Sequence, residues 1–200
     1  VCNAPDSNIV STAEYAFALI MAAARNIPQA NSDMKNHQWS RYNFAGLELE
    51  GKTLAIFGLG RVGSMVAERA HAFGMKVIAH DPFCSRARAI DLGITILDDL
   101  YEVLGQADII SIHLPKTSDT AGMFGPAEFA AMKDGVVFVD TSRAGIVQQK
   151  ALSDFVAAGK VGACAVDVWE EEPCYDSILH EFDNAILTPH LGACTHDAMT

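Results

Sequence analysis

The hydrophobic rhythm of the chain changes at Gly51. Before it, "STAEYAFALIMAAARN" is apolar almost all round, the pattern of a helix covered on several sides. Its start signal is "STAE", where Ser11 is placed to cap and Glu14 to reach back in a capping box. A polar stretch from Asn31 to Asn43 follows, with Trp39, Tyr42 and Phe44 interspersed. It predicts a loose connection of one or two helical turns at most, whose aromatics need a surface to pack on.

From Gly51 onward short apolar runs alternate with helical stretches. The runs are "TLAIFG", "KVIAHD", "ITIL", "DIISIHL", "VVFVDT", "GACAVDV" and "AILTP". Between them, "VGSMVAERAHAF", "DDLYEVLG", "PAEFAAMK" and "QQKALSDFVAAG" repeat their apolar positions at about 3.6 residues. Runs that are apolar at successive positions must be covered on both faces, as strands of a parallel sheet between two helical layers are. The expected fold is α/β, a doubly wound parallel sheet of about seven strands with helices on both faces. Residues 1–50 are expected to form an N-terminal helix, which the resemblance given below makes a crossing helix, and an arm packed on the same domain, and residues 51–200 the sheet domain; no internal repeat or low-complexity tract interrupts either.

Composition narrows the function. Half of the residues are apolar and a fifth charged, which is globular, and 14 Lys+Arg against 25 Asp+Glu give a formal charge of −11. Such a field repels nucleic acid and anionic membrane, so the expected partner is a small molecule. The five cysteines are odd in number, scattered and without a C-x-x-C pair, which argues against a disulfide framework or a metal site and for a reducing cytoplasm. No apolar run is long enough to span a bilayer, and an opening at Val1 without Met or leader pattern suggests a fragment.

"GLGRVG" places Gly58, Gly60 and Gly63 in a G-x-G-x-x-G spacing, with Arg61 and Val62 completing the loop. Because it follows the run "TLAIF" and opens a helix, its backbone amides and the helix N-terminus would face a pyrophosphate; Gly60 allows close approach and Gly63 close helix–strand packing. Asp81 closes the next run, where a carboxylate accepts from ribose hydroxyls and repels a 2′-phosphate. The domain is therefore of Rossmann type, and NAD is favoured over NADP. Arg86 and Arg88 follow closely and offer charge to a 2′-phosphate or simply solvated side chains.

Three polar stretches follow later runs: "TSRAG", "DVWEEEP" and "TPHLGA". The carboxyl ends of parallel strands face the ligand crevice, so Arg143, Glu172 and His190 converge there although distant in sequence. With "GKTLAIFGLGRVG", "IHLPKTSDTAGMFG", "VDTSRAGIV", "AVDVWEEEP" and "TPHLGACT" in this order, the chain resembles the D-isomer-specific 2-hydroxyacid dehydrogenases along nearly its whole length. The resemblance implies NAD-dependent hydride transfer on a D-2-hydroxy acid, with 3-phosphoglycerate one candidate. It implies that Arg143 binds the substrate's carboxylate and carbonyl oxygens, that His190 moves the hydroxyl proton, and that Glu172 orients His190 and favours its imidazolium form. It places His113, Pro115 and Thr117 beside the adenosine and phosphates and Thr141 and Asp167 on the nicotinamide side, Asp167 at the carboxamide, and counts His190 and Gly192 among the cofactor-binding residues. Departures are Ala144, where the family more often has Gly, and Gln148 and Gln149 in place of an acidic pair. Cys194 reads as a buried inert thiol, and Trp169 either contacts substrate or packs.

The resemblance also implies a second, substrate-side domain absent from this chain, so that the fragment alone is inactive, and a homodimer formed through the N-terminal region. The alternative is an NAD-sensing interaction module of the corepressor type on the same fold.

Overall fold

The computed structural model describes residues 8–198; Cys2 and the first residue lie outside them. Seven strands form one sheet: β1 (Thr53–Phe57), β2 (Lys76–His80), β3 (Thr95–Ile96), β4 (Ile109–Ile112), β5 (Val136–Asp140), β6 (Val161–Val166) and β7 (Ala185–Leu187). Their order is β3-β2-β1-β4-β5-β6-β7, and every neighbouring pair is parallel. Each expected run became a strand. The order reverses between β1 and β4, and there the connections leave to opposite sides and open a crevice above the strand ends.

The helices are α1 (Ile9–Ala24), α2 (Ile27–Lys35), α3 (Arg61–Ala72), α4 (Arg86–Asp91), α5 (Leu100–Gln106), α6 (Pro126–Ala131) and α7 (Gln149–Ala157). Successive strand residues point to opposite faces, and here each face has its own core. Leu54, Ile56, Val77, Val137 and Val139 pack with Ala16, Ile20, Val66 and Ala70 of α1 and α3. Ala55, Phe57, Ile110, Ile112 and Phe138 pack with Val103, Phe129, Leu152 and Val156 of α5, α6 and α7. Unbroken apolar runs are the sequence consequence of these two cores.

The N-terminal half corrects three expectations. Helix α1 begins at Ile9 behind Asn8, so Ser11 lies inside it and caps nothing. The Ser11 hydroxyl instead meets that of Thr195 at 2.9 Å, and Glu14 pairs with Arg69 of α3 at 3.2 Å: packing partners took the two side chains that local chemistry would have spent on a capping box. The polar stretch is more helical than expected, because α2 starts at Ile27 with Pro28 in its first turn, a position that needs no amide donor. Of its aromatics, Trp39 and Tyr42 stay 80% and 88% exposed, whereas Phe44 is half-buried. Helix α4, too short and polar for a periodicity signal, is capped by Ser85, whose hydroxyl accepts from the Arg88 amide at 3.3 Å. Among the described residues no helix is long and apolar enough to cross a membrane.

Candidate active site and dinucleotide cleft

The glycine loop is shaped by contacts a side chain would destroy. At Gly63 a Cβ would lie 2.2 Å from the Gly58 carbonyl oxygen, and at Gly58, with φ +92°, it would lie 2.7 Å from the His113 carbonyl oxygen. At Gly60 a Cβ would meet nothing within 4 Å, so the protein leaves that space open at the N-terminus of α3. Asp81 ties the loop to β2. One carboxylate oxygen accepts from the Leu59 amide at 2.7 Å, the other from Phe83 at 2.9 Å and Cys84 at 3.2 Å. A carboxylate offers about four acceptor directions, so one remains for a ribose hydroxyl. Arg86 pairs with Asp98 at 2.5 Å and Arg88 donates to the Ser64 hydroxyl at 3.1 Å; both arginines are engaged with neighbours on the same chain.

A cavity of about 540 Å³ runs along the strand ends and is lined by Val62, His113, Pro115, Thr141, Arg143, Asp167, His190 and Gly192. Eight of the expected positions thus meet in one cleft. Thr117 does not: it is exposed in a local turn, its amide donating to the Thr120 hydroxyl at 2.8 Å. His113 keeps part of its surface accessible and its Nε2 lies 2.9 Å from the Ser111 hydroxyl; burial of the ring pushes its pKa down to about 4. The cleft also takes Asn8, Thr12, Leu114, Lys116, Ser142 and Ala193, which sequence reasoning missed. Lys116 and Ser142 lie inside motifs already singled out; Thr12 arrives on α1 and Asn8 directly ahead of it, with no local signal.

Thr141 provides a test of fit for a bound dinucleotide. Its hydroxyl is buried and has no hydrogen-bond partner among the described residues, a costly condition unless a ligand supplies one. Together with the open space at Gly60 and the spare acceptor at Asp81, it makes the residues present suitable for NAD.

Asp167 sits at the end of β6, almost wholly buried. It accepts from the Thr188 hydroxyl at 2.7 Å and from the Leu191 and Gly192 amides at 2.8 and 2.9 Å. The carboxylate therefore holds the segment bearing His190, with one acceptor direction left over for a ligand amide. Pinned on both sides, His190 adopts a left-handed conformation, φ 56°, which an L-residue occupies at some cost.

The reward of that conformation is a pair. His190 Nδ1 lies 2.9 and 3.0 Å from the two oxygens of Glu172. The bond from His190, with a further one from the Trp169 amide, lowers the pKa of Glu172. With Nδ1–H donated to a carboxylate, Nε2 is the nitrogen left for a substrate. Trp169 packs rather than reaching out, its indole donating to the Thr188 carbonyl at 2.9 Å. Cys194 is exposed, not buried as expected, because the turn after Gly192 lies over the surface; Cys164 is the buried thiol, and burial pushes its pKa up to about 12.

Comparison with known proteins agrees with this geometry. Residues 17–192 match the family model described as D-isomer specific 2-hydroxyacid dehydrogenase, NAD binding domain. The chain is 48% identical over 198 residues to D-3-phosphoglycerate dehydrogenase of Mycobacterium tuberculosis, and 47% identical over 199 residues to that of Archaeoglobus fulgidus. Each alignment covers 99% of this chain but 37% and 38% of the relative, so the chain spans well under half of their length. Among solved structures, a glyoxylate reductase from Paecilomyes thermophila superposes with a TM-score of 0.90 at 34% identity, covering 97% of this chain and 58% of that one. Apo D-lactate dehydrogenase from Escherichia coli superposes with a TM-score of 0.90 at 30% identity, covering 98% and 62%.

Proposed function

Because the chain belongs to the D-isomer-specific 2-hydroxyacid dehydrogenases, as their NAD-binding domain, we propose that it supplies the cofactor cleft and the acid–base half of an enzyme that interconverts D-2-hydroxy and 2-keto acids. The observation that carries this reading is His190, held by Glu172 from outside the cleft, opening on the same cleft as Arg143. Bound NAD would take or give the hydride. Oxidising a secondary alcohol also needs a base for the hydroxyl proton, and imidazole titrates near working pH. Glu172 fixes the ring and stabilises the imidazolium formed when Nε2 takes that proton, which makes the same residue an acid in the reductive direction. Arg143 offers a planar fork suited to a carboxylate. Thr141, Gly60 and Asp81 serve the cofactor. The identity to D-3-phosphoglycerate dehydrogenases supports 3-phosphoglycerate as substrate.

The substrate-side wall of the cleft is inferred to come from sequence outside these residues, since the relatives are much longer. The exposed aromatics of the N-terminal arm support a homodimer. A reading as a corepressor-type module finds no support in the relatives and structures above, whose names are those of dehydrogenases and a reductase.

The test is turnover of a panel of D-2-hydroxy acids, 3-phosphoglycerate included, by the full-length protein. His190→Ala is expected to lower kcat by roughly a hundred- to ten-thousand-fold with NAD affinity nearly unchanged. The 200-residue chain, as comparator, is expected to bind NAD without sustaining turnover. Near-normal kcat in His190→Ala would assign the proton to another residue.

A further inference from the structure

The end of β5 carries consecutive polar residues with different neighbours. Thr141 lines the cleft. Asp140 and Ser142, on either side of it, are both buried. One Asp140 oxygen accepts from the Ser142 amide at 3.0 Å and from the Ser142 hydroxyl at 2.5 Å. The Ser142 carbonyl in turn accepts from Arg143 Nη1 at 2.7 Å. Beyond Arg143 the chain is fastened again: the Ile146 amide donates to the Arg143 carbonyl at 3.4 Å, and the Gly145 and Ile146 carbonyls accept from Gly122 at 2.7 Å and Phe124 at 3.1 Å. Arg143 thus stands on a short turn held at both ends, and its guanidinium is folded onto the residue that Asp140 holds.

We infer that Asp140 is a positioning residue for Arg143, setting the guanidinium's direction through the Ser142 backbone; this rests on the reading above in which Arg143 binds the substrate carboxylate. A carboxyl group at this buried strand end is expensive unless its hydrogen bonds are used. Burial pushes its pKa up to about 6, the two Ser142 bonds oppose that rise, and neighbouring Asp167 adds to it. No ion pair of Asp140 occurs among the described residues. What the group contributes is an acceptor aimed at Ser142, not a charge aimed at a cation. Asparagine preserves that acceptor and sheds both the burial penalty and the repulsion from Asp167; alanine removes it and releases the turn.

The experiment compares Asp140→Ala, Asp140→Asn and Ser142→Ala in the full-length protein. A misplacement of about 1 Å in a substrate-holding group costs on the order of a hundredfold. Asp140→Ala is therefore expected to raise KM for the hydroxy acid at least about tenfold while NAD affinity stays within about twofold. Ser142→Ala, which keeps the amide bond and loses the hydroxyl one, shows a smaller loss of the same kind, and Asp140→Asn stays close to wild type. In the 200-residue chain the Arg143 Nε–H resonance is expected to shift or broaden in Asp140→Ala and to be retained in Asp140→Asn. An unchanged KM in Asp140→Ala overturns the inference, as does an Asp140→Asn protein as impaired as the alanine variant. Should Asp140→Ala fail to fold, unchanged substrate KM in Ser142→Ala overturns it equally. Absence of hydroxy-acid turnover in the wild-type protein would count against the proposed function, whereas the Arg143 resonance reports on Asp140 independently of turnover.

Discussion

Gly60 and Gly63 share one motif but answer to different physics. Gly63 is demanded by the protein itself: a methyl group there would collide with the Gly58 carbonyl and sit 3.1 Å from Ile56 Cγ2. Gly60 has an ordinary extended backbone, φ −75°, and empty space around its missing Cβ, so the protein alone has no need of glycine there. Gly63→Ala is accordingly expected to destabilise the fold by about 1–3 kcal/mol, the usual range for overpacking. Gly60→Ala is expected to melt like wild type and to lose NAD affinity by roughly tenfold or more, about 1.4 kcal/mol. Paired thermal melts and NAD titrations separate the two roles. A Gly60→Ala protein that binds NAD normally would mean that the pyrophosphate does not pass over this position.

At the scale of elements, the ends of β4 and β5 carry groups of opposite pH dependence side by side. Ile112 is in register with Asp140, and His113 follows Ile112 directly. His113 is held neutral, with a folded pKa near 4 against about 6.5 in an unfolded chain. Its contribution to stability is present above about 6.5 and is lost as pH falls towards 4. Asp140 has a folded pKa near 6 against about 3.9 unfolded, so its contribution is greatest below that lower value and is lost as pH rises through 6. Between pH 4 and 6.5 the two partly cancel. His113→Asn is expected to flatten the acid limb of the melting temperature against pH, and Asp140→Asn to steepen it; parallel curves for all three proteins would contradict both shifts. Elements of this kind were legible in sequence where apolar periodicity carried them: every strand followed from runs that must be covered on two faces, and α3, α5, α6 and α7 from a repeat of about 3.6 residues, whereas the short polar α4 gave no such signal. The legible part of the site was equally local, with Gly58, Arg143, Glu172 and His190 each adjoining a strand end. What escaped depended on distant partners. Ser11 and Glu14 were claimed by Thr195 and Arg69; Thr12 reaches the cleft on a helix far from it in sequence; and the acceptor role of Asp140 appears only once the Ser142 turn is seen.

At the scale of the molecule, the sheet satisfies its own two faces, but the N-terminal arm does not satisfy its side chains. Two cores close on the sheet, one under α1 and α3, the other under α5, α6 and α7. Helix α2 buries no residue, and the arm beyond it leaves Trp39 and Tyr42 more than three-quarters exposed. Ile27 and Met34 of α2 are about half exposed, at 52% and 55%, so apolar surface continues from the helix into the arm. Clustered exposure of this kind marks an interaction surface rather than ordinary scatter, and the commonest soluble assembly is a twofold dimer in which one patch meets its own copy. Aromatic residues at the centre of such a patch carry a disproportionate share of the binding energy. The 200-residue chain is therefore expected to sediment as a dimer at micromolar concentration. Trp39→Ala combined with Tyr42→Ala is expected to shift it towards monomer while leaving its melting profile and NAD binding largely intact, because both side chains are largely exposed within the single chain. A wild-type chain that sediments as a monomer up to about 100 µM, where a Kd of that size corresponds to only about 5.5 kcal/mol, would mean that these aromatics are covered by something other than a second copy.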